Sequence, residues 1–176
     1  DLNVGGQTVA EVFDSWSEVL DIMIENGLML KAVKTIICPT TTQILGWDWS
    51  NGTISASAHK VSPLISCEEP QTVTALRSFI GAFKVFNRVV KGCARFLSCL
   101  DAATAGKQKQ DRVVWSPELS KSFKDAQKAL SEASKVTLPR VKDQLVLVHD
   151  GSQLGIGSIL YLKRDNNIFL GGFFSA

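Results

Sequence analysis

The chain has 176 residues, and 45% of them are apolar, enough to bury a core in one large domain or two small ones. Its formal net charge is +2, so the overall charge does not indicate a tight nucleic-acid binder, although a local basic face is not excluded. No apolar run reaches the roughly 18 residues of a membrane span, and no signal peptide is visible. We therefore expect an intracellular protein that does not contact a membrane.

The cysteines do not suggest a metal centre or a disulfide framework. No C-x-x-C pair occurs, and the two histidines lie far from any pair of cysteines, so a zinc site is not expected. We expect reduced thiols that behave as small apolar side chains. The four positions are Cys38, Cys67, Cys93 and Cys99.

The first predicted helix begins at Thr8, where Thr8 and Glu11 fit a capping box, and ends before Gly27. Short strands are predicted on either side of it, at residues 1–4 and 35–38. Its apolar residues recur at three- and four-residue spacing, which predicts a face packed on a core rather than a ligand site. The residues of this face are Val9, Val12, Phe13, Trp16, Val19, Leu20 and Met23.

A β-hairpin is predicted next, with a strand at 43–49, a turn at Asn51-Gly52 and a returning strand at 53–56. Trp47 and Trp49 are two residues apart and should lie on the same face of the sheet. Two interpretations remain open for that face. It is either half-buried on the core or an apolar platform that projects towards a ligand.

A linker with two prolines is predicted at residues 60–70, and a long helix is predicted from Thr72 to Val90. Its basic residues lie away from its apolar stripe. Such a face is either simply solvated or available for phosphate contacts. The basic residues are Arg77, Lys84, Arg88 and Lys91. A shorter helix at 94–103 and a polar loop at 104–111 follow.

Ser116 followed by Pro117 predicts the start of another helix, which should continue to about Ala133. Strands at 144–148, 156–162 and 168–174 then predict an antiparallel meander. Asp150 follows the first of these strands. It is either part of a two-residue Asp-Gly turn or an acid that reaches a metal or a substrate.

The order of five segments resembles the polymerase region of LTR-retrotransposon Pol polyproteins of the gypsy or BEL/Pao type. The resemblance covers nearly the whole chain. The segments are ILGW, ALRSFIGAFKVFNRVV, VVWSPELSKSFKDAQKAL, LP and LVLVHDGSQLGIGSILYL. It implies an α+β fold in which residues 1–60 end a reverse transcriptase palm with a primer-grip-like hairpin. Residues 61–111 would form a helical thumb, and residues 112–176 a connecting helix and the truncated N-terminal part of a ribonuclease H-like domain.

The resemblance also implies site residues. Asp1 matches the last acid of the Tyr-x-Asp-Asp polymerase motif, and Asp150 matches the first metal-binding aspartate of ribonuclease H. Both would act with Mg²⁺ (or Mn²⁺) in the full-length enzyme. The basic residues of the predicted thumb would contact the primer–template. The hairpin that presses on the primer 3′ end would be formed by Ile44, Leu45, Gly46 and Trp47.

The implied protein is a fragment of an RNA-directed DNA polymerase and ribonuclease H, with a primer–template and the remainder of the Pol polyprotein as partners. Both ends are expected to be cut, and we expect the isolated fragment to be inactive. The sequence departs from the family at Gly151, where alanine is usual, at Trp47, where histidine is usual, and in its short thumb. Two alternatives remain: a non-catalytic interaction module derived from a retroelement, and an unrelated α+β binding domain.

Overall fold

The computed structural model describes residues 2–153 and 155–176, and these fall into two units that divide after Thr40. Asp1 lies outside the described residues, so the predicted polymerase acid has no described position. The second unit, Thr41–Ala176, contains the strands, four of the helices and the hydrophobic core. The predicted boundary at residue 60 falls inside a helix, and the three-part functional division stays a prediction.

The first unit contains helix α1 (Val9–Glu25) and a 3₁₀ turn (Ala32–Lys34). Its predicted caps are confirmed. The Glu11 amide donates to Thr8 Oγ1 at 3.2 Å, and the Leu28 amide donates to the Met23 carbonyl at 2.8 Å across Gly27, whose φ is 66°.

The prediction that the apolar face of α1 is core was wrong, because no residue of α1 is buried and Phe13 is 49% exposed. Among described residues 2–40 no second α-helix and no sheet is present to cover that face. The predicted strands at 1–4, from residue 2 onward, and at 35–38 do not form.

A four-stranded antiparallel sheet begins the second unit, in the order β1-β2-β3-β4. Its strands are β1 (Thr41–Ile44), β2 (Trp47–Ser50), β3 (Thr53–Ala56) and β4 (Val136–Thr137). The Asn51-Gly52 turn is confirmed, with φ of 49° and 73°. The single strand predicted at 43–49 was wrong. Leu45 and Gly46, with φ of 51° and 85°, form a second tight turn there.

Four helices cover this sheet and supply most of the core. They are α2 (Ala58–Ser66), α3 (Val73–Lys84), α4 (Cys93–Thr104) and α5 (Pro117–Ser131). The linker predicted at 60–70 is largely α2, which contains Pro63 in its interior. Burial of Val61 and the packing of Leu64 and Ile65 on the core outweigh the hydrogen bond that proline cannot make.

The starts of α3 and α5 are where the sequence predicts them. Thr72 Oγ1 accepts a hydrogen bond from the Ala75 amide at 3.2 Å, and Ser116 Oγ accepts one from the Leu119 amide at 3.1 Å. Helix α3 ends at Lys84, however, and not near Val90. Residues 85–92 form tight turns instead. Two carbonyls of this segment, those of Arg88 and Val89, accept hydrogen bonds from amides elsewhere in the chain.

Three antiparallel strands complete the chain and confirm the predicted meander: β5 (Gln144–Ser152), β6 (Gly155–Arg164) and β7 (Asn167–Ser175). Strand β7 is bonded to the turn segment after α3 and to the first turn of α4. The Phe173 amide donates to the Arg88 carbonyl at 2.9 Å, and the Ala94 amide donates to Ser175 Oγ at 2.9 Å. The observed α+β architecture of the second unit thus combines a helical core, a small sheet and a longer meander, and β7 of the meander also contacts β4 of the small sheet.

An ion pair connects the meander to the segment that precedes it. Arg164 donates to Asp143 through Nε at 2.8 Å and through Nη2 at 2.7 Å, and the Asp143 side chain is only 1% exposed. The Arg140 amide also donates to this carboxylate at 2.8 Å. These bonds lower the pKa of Asp143 to about 2, chiefly through the bond from Arg164.

Candidate nucleic-acid interface

The β1–β2 turn carries the residues predicted to form the primer-grip hairpin. Leu45 is at its tip and is 85% exposed. The Gly46 carbonyl accepts a hydrogen bond from the Ser57 amide at 3.1 Å, which attaches the turn to the start of α2. A β-carbon on Gly46 would lie 2.7 Å from Lys60 Cγ. Glycine is therefore required here both by its positive φ and by the contact.

Trp47 follows this turn and packs inward. Its ring lies 5.6 Å from the ring of Phe86, centroid to centroid, and both Trp47 and Trp49 are half-buried against the core. The interpretation that this face is half-buried on the core is therefore confirmed. The alternative, that it projects as an apolar platform towards a ligand, was wrong. The Trp47–Phe86 contact places Trp47 beside the start of the turn segment that follows α3.

Arg77 lies on α3 with its guanidinium at the end of α4. Its Nη2 donates to the Thr104 carbonyl at 2.8 Å and to the Lys107 carbonyl at 3.1 Å. The first carbonyl belongs to the last residue of α4 and the second to the loop that follows, so the guanidinium lies at the C-terminal end of α4, where a cation is favourable. Arg77 therefore holds α3 and α4 together, whatever else it contacts.

The other predicted cations do not share one helical face. Lys84 Nζ pairs with Asp101 Oδ2 at 3.0 Å, which offsets its charge. Arg88 and Lys91 follow the end of α3, so the continuous basic stripe predicted for residues 77–91 was wrong. The Arg88 side chain runs beside β7, where a β-carbon on Gly172 would lie 3.1 Å from Arg88 Cγ. Lys91 is exposed.

Asp150 is exposed within β5, two residues before its end, and is paired in register with Gly157. The interpretation of Asp150-Gly151 as a two-residue turn was therefore wrong. The Asp150 Oδ1 atom accepts a hydrogen bond from the Gly151 amide at 2.9 Å. In the described part of the chain no three His, Cys, Asp or Glu side chains are grouped so that they could hold a metal. The described residues do not by themselves fit a two-metal site.

The buried thiol of Cys93 and the partly buried thiol of Cys67 are unsuited to chemistry at neutral pH. Burial raises the pKa of Cys93 to about 11, and burial likewise raises the pKa of Cys67. Neither can act as a ready nucleophile.

Two placements were not expected from the sequence: Arg77 as a cap on α4, and Lys60 beside Gly46. Both are contacts between residues distant in the chain. The one sequence signal for the second was the glycine itself, since a glycine in a turn often marks a close approach.

No family model and no curated protein matches the chain. Solved structures do match it. The foamy viral protease-reverse transcriptase in complex with double-stranded DNA is 16% identical, with a TM-score of 0.77 over 97% of this chain. The same enzyme in complex with an RNA/DNA hybrid gives 16% identity, a TM-score of 0.78 and 98% coverage.

These comparisons define the fold. The chain has the fold of part of a retroviral-type reverse transcriptase, including part of a ribonuclease H-like domain. It spans 23–35% of the length of those foamy viral chains. Over the described residues no helix has the length and apolar character needed to cross a bilayer.

Proposed function

We propose that the chain is a segment of an LTR-retrotransposon Pol polyprotein, of the gypsy or BEL/Pao type, and that its own role is to hold the primer–template. The observation that carries this proposal is the reverse transcriptase fold over 97% of the chain. The order of the five sequence segments supports it. The foamy viral neighbours bind double-stranded DNA or an RNA/DNA hybrid, and we extend that duplex binding to this chain.

The proposed interface consists of the exposed tip at Leu45 and the cations near the hairpin. Their work is to position the duplex, since phosphate contacts fix register without reading the base sequence. Lys91 and Arg88 are exposed and would reach the sugar–phosphate backbone, whereas Arg77 and Lys84 are already bonded to α4.

Catalysis is assigned to the full-length enzyme. Asp1 and Asp150 would each contribute one carboxylate to a Mg²⁺ (or Mn²⁺) site, and further carboxylates from the remainder of the Pol polyprotein would complete both sites. Such ions would stabilise the attacking and leaving oxygens of phosphoryl transfer. Asp150 is exposed and therefore accessible for that role.

The purified chain should bind duplex primer–template with steep salt dependence. Each phosphate neutralised by a cation contributes about 0.9 to the slope of log affinity against log salt. Fluorescence anisotropy with a labelled duplex, from about 50 to 200 mM salt, should give a slope of roughly −2 to −4. A slope near zero, or no binding at about 50 mM salt, would contradict the interface.

The purified chain should show neither primer extension nor hybrid cleavage with Mg²⁺ or Mn²⁺. Among its described residues, no three His, Cys, Asp or Glu side chains are grouped so that they could hold the metal ions that both reactions need. The measurement is a gel assay of a labelled primer–template and of an RNA/DNA hybrid, with a complete reverse transcriptase as the positive control. Metal-dependent extension or cleavage that survives repurification of the chain would overturn this expectation.

A second candidate is a non-catalytic interaction module derived from a retroelement. It is favoured by the finding that, among the described residues, no three His, Cys, Asp or Glu side chains are grouped to hold a metal ion. Intact mass measurement of the protein from its own cells distinguishes the two. A mass that matches only this segment supports the module, and a much larger polyprotein supports the enzyme.

A further inference from the structure

We propose that Lys60 is a further phosphate-binding residue, which holds the duplex backbone at the tip of the β1–β2 turn. This inference rests on the proposed function. It adds a residue that the sequence-based assignment omits, and it changes which cations carry the binding.

The first observation is the position of the Lys60 side chain. From the β-carbon position of Gly46, Lys60 Cγ lies 2.7 Å away, and Cδ and Cε each lie 3.4 Å away. The stem from Cγ to Cε therefore packs on the turn at Gly46, and the ammonium group is one bond beyond Cε. The bond from the Ser57 amide to the Gly46 carbonyl holds α2 and the turn in this arrangement.

The second observation is the state of the charge. Lys60 is exposed, and no ion pair involves it among the described residues. Lys84, by contrast, is paired with Asp101, and Arg77 donates to two carbonyls. The acid of the hairpin, Asp48, accepts a hydrogen bond from Gln43 at 2.8 Å. The full charge of Lys60 is thus left for a ligand next to the tip.

The chemistry of the tip indicates a phosphodiester backbone. An ammonium group is a compact, mobile charge suited to a phosphate whose position varies with sequence. Leu45, exposed and held at a φ of 51°, presents an apolar surface beside that charge. A positive charge next to an exposed apolar side chain fits the alternation of phosphate and sugar along one strand.

The experiment compares the wild-type chain with Lys60→Ala, Lys60→Arg and Lys163→Ala, using a labelled double-stranded DNA across a salt titration. Lys163 is an exposed lysine on β6 and serves as the matched control. Lys60→Ala should reduce the magnitude of the salt slope by about 0.9 and weaken binding about tenfold near 50 mM salt. Lys60→Arg should keep most of the wild-type salt slope and affinity. Lys163→Ala should change neither the salt slope nor the affinity. Circular dichroism verifies that each variant is folded.

The outcomes separate the two proposals. An unchanged slope and affinity in folded Lys60→Ala, with wild-type binding intact, would overturn the role of Lys60 alone. An equal loss in Lys163→Ala would also overturn it, since the effect would then be one of net charge. Absence of binding by the wild-type chain would overturn the proposed function and this inference together.

Discussion

Phe123→Ala should lower the free energy of unfolding of the second unit by about 3–5 kcal/mol, the usual cost of removing a buried phenylalanine. Phe123 is 2% exposed and lies where α5 meets α3. Its ring centroid is 4.6 Å from that of Phe79 and 5.5 Å from that of Trp115. The cavity would therefore also remove two aromatic contacts. Because small domains are stable by only about 5–15 kcal/mol, this loss should be visible as a large shift of the urea midpoint.

Two variants make the measurement specific. Phe123→Leu keeps most of the apolar volume and should lose clearly less than the alanine variant. Phe174→Ala removes a ring that is 52% exposed and should lose less than about 1 kcal/mol. A loss below about 1 kcal/mol in Phe123→Ala would mean that the helices do not pack around this ring.

Asp143→Asn should destabilise the chain at neutral pH and have progressively less effect in acid. The carboxylate is 1% exposed and is bonded by Arg164 and by the Arg140 amide. Removing the charge leaves the partly buried guanidinium of Arg164 without its ionic partner. Thermal unfolding at a series of pH values measures the difference between wild type and variant.

The direction of this pH dependence follows from the pKa of the Asp143 carboxyl, which is lowered in the folded chain from 3.8 to about 2. The stabilisation is therefore present in full above about pH 5 and is lost as the pH falls through 4 towards 2. Asp101→Asn is the control, because its pair with Lys84 is about half exposed and should contribute little. If the difference in unfolding temperature between wild type and Asp143→Asn stays constant from pH 6 to pH 3, the ionised Asp143 carboxylate is not the origin of the stabilisation.

The sequence predicted best those features that depend on neighbouring residues. The caps at Thr72 and Ser116 and the turn at Asn51-Gly52 were confirmed, because a hydroxyl or a glycine acts within three residues of itself. The meander was confirmed for a similar reason, since its strands are joined by short connections.

The errors arise where distant contacts decide. Helix α3 ends at Lys84, and beyond it the Arg88 and Val89 carbonyls accept from the Phe173 and Ser134 amides. Asp150-Gly151 looked like a turn, but pairing with β6 continues to Ser152. The Phe173 and Ser134 amides lie far from α3 in the sequence, whereas the β5–β6 turn lies only a short way beyond the position that the Asp-Gly pair suggested.

The candidate site shows the same division. The resemblance matched residues 44–47 to a hairpin although local propensity predicted a strand there, and the sequence could not reveal that Trp47 packs on Phe86 or that the Lys60 stem packs on the turn at Gly46. The basic face was placed on a single helix because charge spacing alone cannot show where that helix ends. Asp1 and Asp150 stay predictions that rest on the resemblance.

The most direct test of duplex binding at the hairpin is a cross-linking measurement at its tip. A photoreactive benzophenone side chain placed at residue 45, which is exposed, would be irradiated in complex with a labelled primer–template. Our account predicts adducts on the primer strand, concentrated within a few nucleotides of its 3′ end, and far fewer from the same group placed at Phe174. Adducts spread evenly along both strands, or equally abundant from position 174, would contradict it.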